Sequence, residues 1–385
     1  MKRTPIAIVT MLAVLLIGAM PVAAQDDEMA EITPVVEGGL DSPRGVAIGP
    51  DGTIYVAESG AGGEDVCVLH PELANEEPGI CYGASGGISS IVDGVPTRVI
   101  DGLVSGITPT GETLGASDVA VDEMGGLWFT VGLGAPDPVA FRESIGDLGS
   151  DMGFLFKADG EGGYAAVADF ATYEAEDNPD ADQPGNEEPD SNPNGIVLTA
   201  DGAVVADAGG NALVSTDAEG NLSLVAVFPS FMAEAQLEPD ADPVPIPVDP
   251  VPTAVVVGPD DAYYVGMLTG FPFAPGTATV QRVVPGEAPT EYAGGFTNVI
   301  DIAFAPDDSL YVLEISHDGL LNADPEAGPP RGGLWKVPAG GGDAELVTNE
   351  GLVMPGGMAV AEDGTIYVST CAVCPDGGGI VSLQP

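Results

Sequence analysis

Three oxygen-bearing side chains, Asp118, Asn194 and Asp301, occur near the start of a motif that is repeated along the chain. Carboxylate and amide oxygens are the ligands that hard cations prefer in proteins. The first copy of the motif carries Arg44 in the aligned region, in a chain that has few bases. This pattern predicts a small-ligand or metal site, with Asp118, Asn194 and Asp301 as metal ligands and Ca²⁺ as the candidate ion. The alternative is structural, because such residues also cap strand ends and satisfy the backbone groups of loops.

Other residues that could do chemistry are sparse. The chain has two histidines, His70 and His317, and both fall in predicted loops, so a His-rich metal centre or a Ser-His-Asp triad is poorly supported. We add to the candidate ligand site four polar residues that lie close to the first set in the repeat: Asp207, Asn211, Asn298 and Glu314.

The repeated motif is a short hairpin. Each copy reads as an apolar run, a turn and a second apolar or aromatic run, and the first turn, Gly49-Pro50-Asp51-Gly52, has the residues of a type I turn. Runs such as Val46-Ala47-Ile48 are apolar at every position, which indicates burial on both faces of the sheet. The six copies span residues 43–57, 116–130, 193–207, 252–266, 299–313 and 355–369.

Two further apolar runs follow most hairpins, which makes four strands per unit. Six such units predict an all-β protein, a six-bladed β-propeller with four-stranded blades. The last unit has only three strands, and the missing outer strand is found at residues 33–40. We therefore expect this N-terminal strand to pair with the C-terminal blade and close the ring, which removes an exposed sheet edge. An open β-sandwich or a solenoid is the alternative.

The N-terminus predicts export. Lys2 and Arg3 precede an apolar run that ends before Pro21-Val22-Ala23-Ala24, which is typical of a signal peptide at residues 1–24. The run is shorter than the roughly 20 residues that span a bilayer, so we expect no membrane span in the mature protein. Residues 25–385 then form a single propeller domain that is secreted or periplasmic.

Four cysteines in an exported chain suggest two disulfides. We expect Cys67–Cys81 and Cys371–Cys374, both structural. Cross-pairing stays open, because the first and last blades of a closed ring are neighbours.

The charge is extreme: 60 acidic residues stand against nine bases, a formal net charge of −51 at pH 7. Nucleic-acid binding is excluded as a function class, since phosphate contacts need clusters of Lys and Arg. The acids either form a solvated surface that keeps the protein soluble or include cation ligands.

The insertions between strands fall on one side of the predicted ring. We expect them to form a loop-rich rim that binds a small molecule, a glycan or a protein, in a protein that is a monomer. Residues 174–190 contain no base and no large apolar residue, so we expect a flexible acidic loop there, and the proline-rich segment 243–247 should be extended. The insertions cover about residues 60–83, 132–152, 172–192, 230–251 and 317–331.

Five stretches of the chain carry a family resemblance: Ser42-Pro43-Arg44-Gly45, Asp190-Ser191-Asn192-Pro193, residues 206–211, residues 268–273 and Gly295-Phe296-Thr297-Asn298. They resemble the ScyD/ScyE family of exported bacterial propeller proteins. The resemblance covers nearly the whole mature chain and implies a secreted or periplasmic six-bladed propeller, without a catalytic signature. A broader resemblance links the hairpin repeat to propellers of the TolB-like, NHL and SMP-30 types.

Two functions are compatible with these patterns. The first is an exported binding or scaffold propeller whose site is the loop-rich rim and the mouth of the central channel. The second is a metal-dependent hydrolase similar to lactonase propellers, in which carboxylates and amides hold a cation that polarises a substrate oxygen. The absence of a strong catalytic motif favours binding.

Overall fold

The computed structural model describes residues 30–71, 77–236, 242–322, 328–373 and 377–385. Across these residues the chain forms a six-bladed β-propeller of antiparallel sheets, which confirms the predicted fold class. The predicted signal peptide lies outside the described residues. Within them, no helix is both long enough and apolar enough to cross a membrane.

Blades 2 to 5 are each a sheet of four strands that run in chain order from the channel outward. Blade 2 contains Ala116–Val121, Leu127–Val131, Phe154–Ala158 and Tyr164–Asp169. Blade 3 contains Pro193–Leu198, Gly202–Asp207, Ala212–Asp217 and Leu222–Val227. Blade 4 contains Pro252–Val257, Tyr263–Met267, Ala278–Val283 and Thr290–Phe296. Blade 5 contains Val299–Phe304, Leu310–Glu314, Gly333–Val337 and Glu345–Thr348.

Blade 1 is larger than predicted. Part of the insertion that we expected at residues 60–83 is the beginning of its third strand, which has 13 residues. The reason is a short extra strand that pairs with this extension, so that Cys67 lies opposite Cys81 and the predicted Cys67–Cys81 disulfide forms. Blade 1 contains Pro43–Ile48, Ile54–Glu58, Val66–Val68, Ile80–Val92, Val95–Ile107 and Thr113–Leu114.

Blade 6 closes the ring as predicted. The N-terminal strand pairs antiparallel with the C-terminal strand, with Pro34 opposite Val381 and Val36 opposite Ile380. Cys371 is disulfide-bonded, while its predicted partner Cys374 lies outside the described residues. Blade 6 contains Met358–Val360, Ile366–Thr370, Gly378–Leu383 and Ile32–Leu40.

The hydrophobic core lies between the blades. The described residues contain one cluster of buried apolar side chains for each of the six spaces between neighbouring blades. Ile88 of blade 1 and Phe129 of blade 2, for example, belong to the same cluster and are fully buried. This explains why the hairpin strands are apolar on both faces: each sheet is covered by a sheet on either side.

The rim insertions contain more structure than the sequence suggested. We expected a flexible acidic loop at residues 174–190, but the structure buries Glu174 and Asp180, which are 1% and 2% exposed. The reason is a helix whose first residues, Phe170 and Ala171, are buried apolar anchors. The proline-rich segment 243–247 is extended, as expected. The rim contains the α-helices Pro138–Ser144 and Phe170–Asp177, the 3-10 helices Gly146–Asp151 and Leu320–Asn322, and the strand pairs Ala135–Pro136 with Asp190–Ser191 and Phe231–Ala235 with Val244–Val248.

Candidate functional site

The inner strands show that the predicted alignment of the channel residues was offset by one position. Asp118 pairs with Thr130 and Asp301 with Leu313, whereas Arg44 and Asn194 lie one residue earlier in their strands. The repeat itself contains this offset, because Asp118 and Asp301 are the third residues of their copies and Arg44 and Asn194 are the second residues of theirs. A β-bulge lies near the start of each of these four inner strands. The residues equivalent to Asp118 and Asp301 in the other four blades are small: Gly45, Gly195, Ala254 and Gly357.

The small residues let neighbouring inner strands touch through their backbones. A Cβ atom added to Gly195 would lie 2.6 Å from the Cα of Ala254, and one added to Gly357 would lie 2.7 Å from the Cα of Gly45. A Cβ atom on Gly45 would also lie 1.8 Å from Asp118 Oδ1. The blades therefore meet closely around the axis, and Asp118 occupies the space beside Gly45.

Asp118 and Asp301 join neighbouring blades through backbone N–H groups. Asp118 Oδ1 accepts from Val119 at 2.8 Å and its Oδ2 accepts from Ile196 of blade 3 at 3.0 Å. Asp301 makes the same two contacts: its Oδ1 accepts from the Ile302 N–H at 2.8 Å and its Oδ2 accepts from the Met358 N–H of blade 6 at 2.6 Å. All four carboxylate oxygens thus accept a hydrogen bond, and the two blades that carry them are opposite each other in the ring.

Burial raises the pKa of both carboxyl groups, and the charge of Asp118 raises the pKa of Asp301 further. The hydrogen bonds from backbone N–H groups act in the opposite direction, because they favour the ionised form. The two groups therefore titrate as an interacting pair.

Arg44 and Asn194 hold the ends of the inner strands. Arg44 Nη2 donates to the carbonyl oxygen of Thr113 at 2.8 Å, and burial lowers the pKa of Arg44 while the charge of Glu112 raises it. The backbone carbonyl oxygen of Asn194 accepts a hydrogen bond from Thr130 Oγ1 at 2.6 Å. Across the part of the chain that the structure describes, no group of three or more His, Cys, Asp or Glu side chains is placed to hold a metal ion. Metal binding by Asp118, Asn194 and Asp301 stays a prediction.

Asp207 and Glu314 end the second strands of blades 3 and 5, and both are buried. Asp207 accepts from the Asn192 N–H at 2.6 Å, and Glu314 accepts from the Thr297 N–H at 2.7 Å. Burial raises the pKa of both groups, and these hydrogen bonds oppose the shift. Both side chains anchor the segment that leads into the first strand of their blade, as the structural alternative requires.

Asn211 and Asn298 connect the rim to the blades. Both have a left-handed backbone, with φ of 46° and 49°. Asn211 Oδ1 accepts from the Val251 N–H at 3.2 Å and its Nδ2 donates to Asp180 Oδ2 at 2.9 Å. Asn298 Oδ1 accepts from the Leu320 N–H at 3.1 Å. These hydrogen bonds attach the rim insertions to the blades.

A pocket of about 720 Å³ lies between blades 3 and 4 and was not predicted. Phe228 and Met267 form part of its apolar wall, and Thr279 and Gln281 add polar groups from the third strand of blade 4. Residues of the insertions 172–192 and 230–251 complete it: Pro179, Asp182, Gln183, Phe231 and Pro250. The sequence did contain a signal for this pocket, because one long insertion precedes blade 3 and the other follows it.

Thr269 is the unusual residue in this pocket. Its side chain is 2% exposed, and its Oγ1 has no hydrogen-bond partner among the described residues. Its φ of 65° is strained for a β-branched residue. Three backbone hydrogen bonds hold residues 268–270 against residues 249–251 and fix this conformation, including Thr269 N–H to the Pro250 carbonyl at 2.9 Å. A buried hydroxyl without a partner is costly, so it marks a place where a ligand could bind.

Comparison with family models and with curated protein sequences gave no match. The resemblance to the ScyD/ScyE family is therefore not confirmed and stays a prediction. Solved structures do match, over 92% of this chain. A virginiamycin B lyase from Staphylococcus aureus matches over 99% of its own chain, at 14% identity and a TM-score of 0.46.

Two further structures show the same level of similarity. A gluconolactonase from Xanthomonas campestris matches over 89% of its chain at 11% identity, with a TM-score of 0.49. A protein of unknown function from Bacteroides thetaiotaomicron matches over 76% of its chain at 8% identity, with a TM-score of 0.51. At these identities the likeness concerns the propeller fold alone, and function has to be argued from the residues of this chain.

Proposed function

We propose that this protein is an exported binding propeller that holds a small, mainly apolar molecule in the pocket between blades 3 and 4. The observation that carries the proposal is the pocket itself, whose wall combines apolar side chains with a few polar groups and includes Thr269, whose buried hydroxyl has no partner among the described residues. Ligand pockets are commonly apolar cavities of about 300–1,000 Å³ with a few polar groups that orient the ligand. The pocket of about 720 Å³ falls within that range.

The lining defines the chemistry of the ligand. The charged residues that line the pocket are Asp182 and Glu291, both acidic and both exposed. An anionic molecule would meet like charges there and across the surface of a chain with 60 acids and nine bases. The ligand is therefore a neutral or cationic molecule with an apolar body.

Binding is a better account of the described residues than metal-dependent hydrolysis. The described contacts of Asp118 and Asp301 are structural, since each of their carboxylate oxygens accepts a backbone N–H that joins or orders inner strands. The position of the rim insertions also supports binding, because two of them form walls of the pocket. The Cys67–Cys81 disulfide supports an oxidising, extracytoplasmic location.

Thr279→Trp tests the pocket, because an indole at this strand position would fill it. The probe is the neutral fluorophore phenylnaphthylamine, compared with the anionic anilinonaphthalene sulfonate. We expect the wild-type protein to bind the neutral probe more tightly, and Thr279→Trp to weaken that binding at least about 10-fold, a loss of about 1.4 kcal/mol.

Thr290→Trp is the matched control, since Thr290 is an exposed residue of the same blade that does not line the pocket. Its affinity for the neutral probe should equal that of the wild type. The proposal fails if the wild-type protein does not bind the neutral probe, or if Thr279→Trp and Thr290→Trp bind it equally.

A further inference from the structure

We propose that Glu174 and the carboxylates around the Gly209–Gly210 turn bind a divalent cation of the Ca²⁺ class beneath the acidic rim segment. This site shares Asp207 with the predicted ligand site but shares none of its carboxylates with the lining of the pocket, and the inference does not depend on the proposed function. Three observations carry it: a shared backbone turn, a buried oxygen without a partner among the described residues, and four acidic groups around Glu174.

The turn at Gly209 and Gly210 brings three carboxylates together. Asp207 Oδ1 accepts the N–H groups of Gly209 and Gly210, both at 3.2 Å. A Cβ atom added to Gly210 would lie 2.7 Å from Glu174 Oε2, and one added to Gly209 would lie 2.8 Å from Asp190 Oδ1. Both positions must be glycine because these side-chain oxygens occupy the space of a Cβ atom.

Glu174 has a buried carboxylate oxygen that accepts no hydrogen bond from the described residues. It is 1% exposed, and its Oε1 has no hydrogen-bond partner in the described parts of the chain. Asp207, by contrast, accepts from Ser191 Oγ at 2.7 Å as well as from backbone N–H groups. Asn178, at the end of the same helix, also has a buried Oδ1 without a partner.

Four acidic groups of the described residues act on Glu174. Asp207 approaches it from the second strand of blade 3, Asp180 from the rim segment, Asp190 from a short rim strand and Asp177 from its own helix. Burial and these four acids together raise the pKa of Glu174 to about 9. An ionised carboxylate in such surroundings needs a positive partner.

A cation accounts for the unpartnered oxygen better than a proton alone does. A proton neutralises Glu174 alone, whereas a divalent cation also balances the negative charge of the carboxylates around it. Ca²⁺ takes six to eight oxygen ligands, and its coordination shell commonly combines carboxylates with backbone carbonyls, amide oxygens and waters. The carboxylates do not already form a group of three at metal-binding distances in the described residues, so amide, backbone or water oxygens must supply part of the shell.

The test is a calorimetric titration of the full protein with Ca²⁺ at about 0.3 M NaCl, which screens diffuse binding to the acidic surface. We expect one saturable site and the release of a proton at pH 7, because Glu174–COOH plus Ca²⁺ becomes Glu174–COO⁻ bound to Ca²⁺ plus H⁺. Proton release is measured by repeating the titration in buffers with different ionisation enthalpies.

Glu174→Gln keeps the shape of the side chain and removes its charge, so it should lose the saturable site and the proton release. Glu176→Gln is the matched control, since Glu176 is an exposed residue of the same helix, and it should keep both. Asp190→Asn provides the test if Glu174→Gln does not fold, with an expected loss of affinity of at least about 10-fold.

Two results would overturn the inference. One is the absence of saturable Ca²⁺ binding in the wild-type protein, which would mean that Glu174 simply holds a proton or a water molecule. The other is unchanged Ca²⁺ affinity in Glu174→Gln or, if that variant is unfolded, in Asp190→Asn.

Discussion

Single side chains carry the most specific information about the pocket between blades 3 and 4, and two buried threonines provide a test of it. Thr269 Oγ1 has no partner among the described residues, whereas Thr253 Oγ1 donates to the Val299 carbonyl at 2.9 Å. Both residues are buried. Thr269 differs from Thr253 in its hydroxyl and in its φ of 65°, and valine keeps the β-branch, so Thr→Val tests the hydroxyl at both positions.

Thr269→Val should leave the free energy of unfolding unchanged or raise it by up to about 1 kcal/mol, because it removes an unsatisfied buried hydroxyl without changing shape. Thr253→Val should lower it by about 1 kcal/mol, because a real hydrogen bond is lost. Urea denaturation of both variants measures the difference. A loss in Thr269→Val as large as that in Thr253→Val would show that the Thr269 hydroxyl has a partner.

Gly45 offers a second test at the level of one residue. Gly45→Ala places a methyl group against Asp118 Oδ1, and Asp118 cannot move freely because its two oxygens are held by N–H groups of blades 2 and 3. We expect the free energy of unfolding to fall by about 1–3 kcal/mol, the usual cost of overpacking.

Gly270→Ala is the control for this substitution, since the nearest atom to its added Cβ is 3.6 Å away and its φ is not positive. It should change the free energy of unfolding by much less than Gly45→Ala. Equal effects of the two substitutions would contradict the close packing around the axis.

At the scale of elements, the helix Phe170–Asp177 makes stability depend on pH. The folded pKa of Glu174 is about 9, above the ordinary value of 4.5, so the native state binds more protons than the unfolded state between these values. Stability should therefore fall as pH rises. In the absence of divalent cations we expect the free energy of unfolding to be about 2–3 kcal/mol lower at pH 7.5 than at pH 5.5 from this group.

Glu174→Gln should reduce the measured pH dependence by the share that Glu174 contributes, while the other buried carboxyl groups with raised pKa values, such as Asp118 and Asp301, keep theirs. Glu176→Gln should leave the pH dependence unchanged. Chemical denaturation in the presence of EDTA at both pH values measures the change. Wild-type stability that rises between these two pH values would contradict the raised pKa of Glu174.

The same helix shows where prediction from sequence ends for individual elements. The hairpin strands were predictable because burial on both faces leaves continuous apolar runs such as Val46-Ala47-Ile48. The acidic rim helix was not, because its stability depends on the buried Phe170 and on Arg142, which donates to both carboxylate oxygens of Asp169 at 2.7 Å. Such a contact joins residues that are far apart in sequence, and local composition does not reveal it.

At the scale of the whole molecule, the ring was predictable and the pocket was not. Six similar units with one strand missing at the end and one extra strand at the start specify closure, and Val36 does lie opposite Ile380. The pocket arises where Phe228 and Met267 face each other across two blades, so its volume depends on packing. The region of the channel residues was predicted, but their equivalence was not: Asp118 and Asp301 are the third residues of their inner strands, whereas Arg44 and Asn194 are the second.

The net charge is the property of the whole molecule that should dominate its response to solution conditions. A charge of −51 at pH 7 is spread over a single ring, and the described ion pairs neutralise few of the acids. Mutual repulsion therefore opposes the compact state. Salt weakens this repulsion, since the Debye length falls from about 10 Å at 0.1 M to about 3 Å at 1 M.

We expect the melting temperature to rise by several degrees when NaCl is increased from about 0.1 M to about 1 M at pH 7. The rise should be the same in Glu174→Gln, because screening acts on all surface acids and not on one site. It should shrink near pH 4, where the carboxylates with ordinary pKa values are partly protonated. Thermal unfolding followed by circular dichroism measures all three. A melting temperature that is independent of NaCl at pH 7, or a salt effect that is equally large at pH 4, would show that repulsion among the acids does not limit the stability of this propeller.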